Sequence, residues 1–173
     1  LKLSINEHLK KYIYYNGYNN IENIVIDNLK KEDLTLSTAE SCTGGLIGHR
    51  LTQVSGSSTV YVGGVISYSN ESKIDQLNVN PDNIKNFGAV SEEVAIEMAQ
   101  NVKEKFNSSI GVSVTGIAGP DGGSEAKPVG LVYVGYSDEK LSFVQKFNFS
   151  SNREANKIRT SQAVLKLILS NNN

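Results

Sequence analysis

Six residues in the first quarter of the chain, Glu40-Ser41-Cys42-Thr43-Gly44-Gly45, combine types that acyl-transfer chemistry needs. They follow a short β-leaning run, Leu34 to Thr38, and open a stretch with Leu46, Ile47, Leu51 and Val54 at helical spacing. Backbone N–H groups at a helix start point outward and carry partial positive charge. A hydroxyl in that turn therefore sits beside a potential oxyanion hole, here in the Thr43 to Gly45 backbone. The two glycines let backbone and ligand approach closely. On this reading Ser41 is a nucleophile, and Glu40, Thr43, Gly44 and Gly45 border its substrate. A plain helix cap with a tight turn would use the same residues, and pattern alone weighs the two about equally. The run is not a Gly-x-Ser-x-Gly elbow, and the only histidines, His8 and His49, do not suggest a triad.

A serine without a histidine needs another base, and a lysine serves when burial lowers its pKa. Lys73 follows the β-rich run Tyr61 to Tyr68 and falls at the same sheet edge as Ser41. Tyr68 stands ready to relay a proton or orient that lysine. Spacing alone does not choose Lys73 over Lys85, and most lysines are simply solvated. Cys42 is the other possible nucleophile, but it has no apparent base and reads better as a small buried thiol.

Two further stretches point at the same edge. Thr115 to Gly123 follows an apolar strand, Ile110 to Thr115, and starts a glycine-rich loop running to Val129. Thr115, Gly116 and Gly119 are its expected ligand-lining residues. The loop lacks Gly-Lys-Ser/Thr, so it is no P-loop. Loops this long inside compact domains are more often functional than not. Arg153, Lys157 and Arg159 open the last helical segment, where an arginine fork suits a phosphate. An ordinary exposed helix face reads the same way.

The elements that must position these groups follow from periodicity and punctuation. Helical patterns cover Ile21 to Lys31, Thr43 to Val54, Ser69 to Leu77, a long segment opened by Ser91, and Asn152 to Leu169. Strands are expected at Leu34 to Thr38, Tyr61 to Tyr68, Ile110 to Thr115, Gly130 to Tyr136 and Leu141 to Phe149, with Pro81 to Ala89 as a loop. The order predicts a single three-layer α/β/α domain with a mixed, mostly parallel sheet.

At 173 residues, one domain can bury roughly two thirds of its extended surface. A net charge of -1, from 17 basic and 18 acidic side chains, argues against a dedicated nucleic-acid or anionic-membrane partner. One cysteine permits no internal disulfide and suits a reducing cytoplasm. Without a Cys/His cluster, no metal is expected, and no other cofactor is implied.

Taken together, Thr38 to Gly45, Gly64 to Lys73, Gly88-Ala89-Val90-Ser91, Thr115 to Gly123 and Lys127-Pro128-Val129-Gly130 resemble the CinA C-terminal domain family, the nicotinamide mononucleotide deamidases. The resemblance runs in order from about Ile21 to Leu169. It implies hydrolysis of the carboxamide of nicotinamide mononucleotide to the acid and ammonia. It further implies Ser41 as nucleophile, Lys73 as general base, Tyr68 as helper, and the Thr115 to Gly119 loop along the nucleotide. The phosphate falls to Arg153, with Lys157 departing from the family pattern. An assembly of at least two copies is also implied. Leu9 to Asn20 resembles the connector of longer two-domain relatives. Residues 1–20 are therefore expected to link a preceding N-terminal domain to a catalytic domain at 21–173. The alternatives are a nucleotide-binding regulatory module without catalysis and, from the family's historical name alone, a DNA-associated competence factor.

Overall fold

The computed structural model describes residues 20–171, so nearly all of the expected connector lies outside the described residues. The elements are α1 (Ile21–Lys31), β1 (Leu36–Glu40), α2 (Leu46–Thr52), a 3-10 turn (Ser57–Thr59), β2 (Tyr61–Ile66), α3 (Asn70–Leu77), α4 (Pro81–Phe87), α5 (Glu92–Phe106), β3 (Ile110–Gly116), β4 (Leu131–Ser137), β5 (Ser142–Asn148) and α6 (Arg153–Asn171). The strands form one sheet in the order β2-β1-β3-β4-β5. β1 pairs parallel with both β2 and β3, while β3/β4 and β4/β5 are antiparallel. Only β4 therefore runs against the others, and the sheet is mixed and mostly parallel by strand direction.

Apolar periodicity places the layers. Ile21, Val25, Ile26 and Leu29 of α1 and Val164, Leu165 and Ile168 of α6 pack with Val112, Val114, Val132 and Val134 on one sheet face. The other face carries α5, whose Val94, Met98 and Val102 meet Ala39 of β1 and Leu77 of α3. β1 is buried along its whole length, as a central strand between two helical layers must be. Its polar residues are therefore partnered: Ser37 Oγ donates to Val102 O at 3.1 Å, and Thr38 Oγ1 shares a 2.7 Å bond with Tyr61 OH.

Local chemistry sets the boundaries. Ser69 and Ser91 cap α3 and α5 by accepting from Ser72 N and Val94 N, at 3.0 and 3.3 Å. One expectation is corrected: Pro81 to Phe87 is a helix, α4, where a loop was predicted. Asn80 Oδ1 caps Asp82 N at 2.9 Å, Pro81 takes the first helical turn, and Gly88 follows the end at φ +79°. No residue of α4 is buried, so it has no apolar stripe for periodicity to detect.

The α5 layer sits unusually close to the sheet. A Cβ at Gly135 would collide with Ala95 O, and one at Gly111 with Ala99 O. Gly135→Ala is expected to lower the unfolding free energy by about 1–3 kcal/mol through overpacking, read from urea midpoints at unchanged slope.

Candidate active site

β1 lies where the chain reverses its winding. It leaves through α2 on one face to reach β2, then returns through α3, α4 and α5 on the other face to β3. Open α/β sheets bind ligands at such switch points, outside the carboxyl ends of the strands. A cleft of about 180 Å³ lies there, its wall built from Ser41 and Cys42, Tyr68, Asn70 and Lys73, Ala89 and Val90, Thr115, Gly116 and Ala118, and Arg153. A larger hollow of about 630 Å³ lies at the far end of β3, around Lys103, Asn107 and Asp138. It contains neither Ser41 nor Lys73.

Ser41 continues the β1 ladder by one bond, donating its N–H to Val114 O at 3.0 Å. The chain then turns sharply through Gly44 and Gly45, at φ +63° and +94°. Only residues without a Cβ adopt such values readily. The turn is fixed from within. Glu40, 2% exposed, accepts from Thr43 Oγ1 at 2.7 Å, Gly45 N at 3.0 Å, Ile47 N at 3.1 Å and Gly48 N at 2.8 Å. The start of α2 is thus already filled by the chain's own carboxylate. Gly44 N meanwhile donates to Ser41 O at 3.1 Å. Of the backbone donors expected to form an oxyanion hole at Thr43 to Gly45, those of Gly44 and Gly45 are therefore engaged within the turn. Glu40, Thr43 and both glycines shape the nucleophile's turn without lining the cleft.

Lys73, from the first turn of α3, reaches Ser41. Its Nζ lies 3.0 Å from Ser41 Oγ, 2.8 Å from Ser67 O and 3.5 Å from Ser69 O. The side chain is 2% exposed, and among the described residues no carboxylate pairs with it. Burial therefore holds its pKa below the ordinary lysine value of 10.5. Cys42 shares the cleft, but burial, aided by the nearby Glu40 charge, raises its thiol to about 12. A thiol so held is a poor nucleophile near neutrality, which favours Ser41.

The remaining expected residues separate by role. Tyr68 lines the cleft, 59% exposed, and its hydroxyl accepts from Arg153 Nη2 at 2.7 Å. Its partner is thus the arginine rather than Lys73. Arg153 also donates from Nη1 to Gly119 O at 3.0 Å, which ties the glycine loop to α6. Thr115 Oγ1 donates to Ala89 O at 2.7 Å, and Gly116 lines the floor. Lys157, one turn beyond Arg153, brings its ammonium close to the exposed Gly44. The cleft also uses Ala118, within the loop expected along the nucleotide, and Asn70, Ala89 and Val90, which lie in the quoted motifs but were given no role. Asn156 is a further addition. Buried in α6, it donates from Nδ2 to Ala118 O at 3.1 Å and Ser151 O at 2.9 Å. A lone helical asparagine gives no sequence signal for that role. Among the described residues, no cluster of His, Cys, Asp and Glu could hold a metal, and no helix is long and apolar enough to cross a membrane.

Comparison with known proteins accords with this geometry. The profile of the CinA C-terminal domain matches residues 18–171. The chain belongs to this family. A CinA-like protein of Kosmotoga olearia is 46% identical over 167 residues, covering 96% of this chain and 40% of that protein. One of Cytophaga hutchinsonii is 46% identical over 160 residues, covering 92% and 38%. The chain thus spans about two fifths of the length of these relatives. Among solved structures, the competence/damage-inducible protein of Agrobacterium tumefaciens superposes at TM-score 0.84 and 34% identity, covering 90% of this chain and 98% of that one. A competence or damage-inducible protein from Enterobacter asburiae gives TM-score 0.85 at 26% identity, with coverage of 90% and 100%. The CinA fold is therefore shared by chains scarcely longer than this domain.

The Glu40 anchor is testable apart from any reaction. Glu40→Gln sets an amide N–H against one or more backbone donors and removes the charge. It is expected to cost about 2–4 kcal/mol of stability in chemical denaturation. A loss below 0.5 kcal/mol, within the range of surface changes, would mean the carboxylate does not organise the turn.

Proposed function

We propose that this domain hydrolyses the carboxamide of nicotinamide mononucleotide, releasing ammonia and leaving the acid, through a serine–lysine mechanism. The observation that carries the reading is the buried, carboxylate-free Lys73 amine 3.0 Å from Ser41 Oγ. The family resemblance supplies the substrate.

A carboxamide is a poor electrophile and calls for an activated alkoxide. In the proposed cycle, neutral Lys73 takes the Ser41 hydroxyl proton as Oγ adds to the carboxamide carbon. The resulting ammonium returns that proton to the departing nitrogen, so ammonia leaves and an acyl-serine remains. Water then adds to the acyl carbon, giving a proton to Lys73. Collapse to the acid frees Ser41 Oγ, which recovers the proton. Two carbonyls, Ser67 O and Ser69 O, hold the Lys73 nitrogen in place throughout. Lowered basicity is what lets this lysine be neutral before each cycle. Arg153 and Tyr68 stand at the mouth as candidates to receive the nucleotide's polar end. An assembly of at least two copies working in the cytoplasm without a cofactor belongs to the same proposal.

Ammonia release from the mononucleotide, measured by a coupled assay, is expected to fall by about 10³-fold or more in Ser41→Ala and Lys73→Met, as when either half of a nucleophile–base unit is lost. Tight calorimetric binding with no turnover in the unsubstituted protein would instead mark a regulatory nucleotide-binding module. Full activity in Ser41→Ala with loss in Cys42→Ala would move the nucleophile to the thiol.

The pH dependence has a fixed sign. Protonated Lys73 cannot act as base, so the rate rises with pH through a midpoint below 10.5. Unfolding frees this lysine to bind a proton more tightly. Its contribution to stability therefore also rises with pH, between the lowered folded value and 10.5. Lys73→Met is expected to flatten that stability slope, read from melting temperatures across the same window.

A further inference from the structure

The corner between α4 and α5 is fastened in an unusual way. Four consecutive carbonyls, Phe87 to Val90, each accept from a side chain. Lys127 Nζ donates to Phe87 O at 2.5 Å and to Val90 O at 2.7 Å. Ser91 Oγ holds Gly88 O at 2.8 Å, and Thr115 Oγ1 holds Ala89 O at 2.7 Å. A cation at the last carbonyl of a helix is well placed, and ammonium-to-carbonyl bonds are stronger than neutral ones. Gly88 makes the approach possible, since a Cβ there would lie 3.0 Å from Lys127 Nζ.

Lys127 sits on the returning limb of the glycine-rich loop. The outgoing limb is held separately by α6, through Arg153 on Gly119 O and Asn156 on Ala118 O. Between the limbs, residues 120–126 are exposed. Ala89 and Val90 on the corner, and Gly116 at the end of β3 with Ala118 on the loop, form neighbouring walls of the cleft. Lys127 does not line the cleft, and among the described residues no carboxylate pairs with it.

We propose that Lys127 is a positioning residue whose ammonium latches the 117–130 loop to the 87–90 corner and so sets the spacing of the two walls that receive the substrate. It acts on neither Ser41 nor Lys73. Its loss should loosen recognition while leaving the reacting pair intact.

The test is Lys127→Met, which keeps the aliphatic stem and removes the donors. Hydrogen exchange followed by mass spectrometry should show amides in 88–90 and 117–126 exchanging about tenfold faster or more, with α1 and α6 unchanged. In the ammonia-release assay, KM should rise by about tenfold with kcat within about threefold of the parent. Exchange at the parent's rate in both segments overturns the latch. A fall in kcat at constant KM also overturns it, since Lys127 would then act in the chemical step. Should Lys127→Met unfold the chain, seen as faster exchange in α1 and α6 as well, Lys127→Gln gives the same readouts in reduced size from a shorter stem that keeps an N–H donor. The kinetic arm rests on the deamidase reading. If the unsubstituted protein releases no ammonia, that reading falls, while the exchange arm still decides the latch.

Discussion

The buried carboxylate of Glu40 is the constraint on which the rest of the site depends. Desolvating a carboxylate is costly unless hydrogen bonds replace its water. Glu40 meets four donors from a single turn of chain: Thr43 Oγ1 and the N–H groups of Gly45, Ile47 and Gly48. Satisfying the charge and folding the turn are therefore one event. The positive end of α2 is neutralised from within, so the site does not use it to attract an anion.

With the turn fixed, Ser41 has little freedom, and the lysine must come to it. α3 begins two residues after Ser67 and Tyr68 leave the end of β2, and Ser69 caps it. That places Lys73 one turn inside the helix, facing back toward the strand ends. Burial makes the ammonium form expensive, and no carboxylate relieves it among the described residues. An ion pair at this point would stabilise the charge and, in the proposed mechanism, remove the base. The absence of an acidic neighbour thus matters as much to the chemistry as the presence of the lysine.

Much of this was legible from residue order. Glycines after a hydroxyl following a β run marked the turn, and alternating helical and β patterns gave the layers and the sheet. Ser41 and Lys73 were brought together by the resemblance, because 32 positions of separation carry no local signal. What escaped the sequence has physical causes. α4 has no fully buried residue and only Ile84 packed against the α5-side core, so its clearest marks were Asn80, Pro81 and Gly88, which also suit a loop. Glu40 next to a candidate nucleophile looked like a substrate contact, and only its burial shows that it turns inward. The Tyr68–Arg153 bond spans 85 positions and depends on how α6 docks, which no local pattern encodes.

The proposed reactive pair comes from residues 41 and 73, yet the helix that completes the α1-side core begins only at Arg153. During synthesis from the N-terminus, Ser41 and Lys73 leave the ribosome long before Val164, Leu165 and Ile168 can cover Val112 and Val114. The α1-side face of the sheet is therefore the last to be covered, and Arg153 and Asn156, which hold Gly119 O and Ala118 O, reach the glycine loop only then.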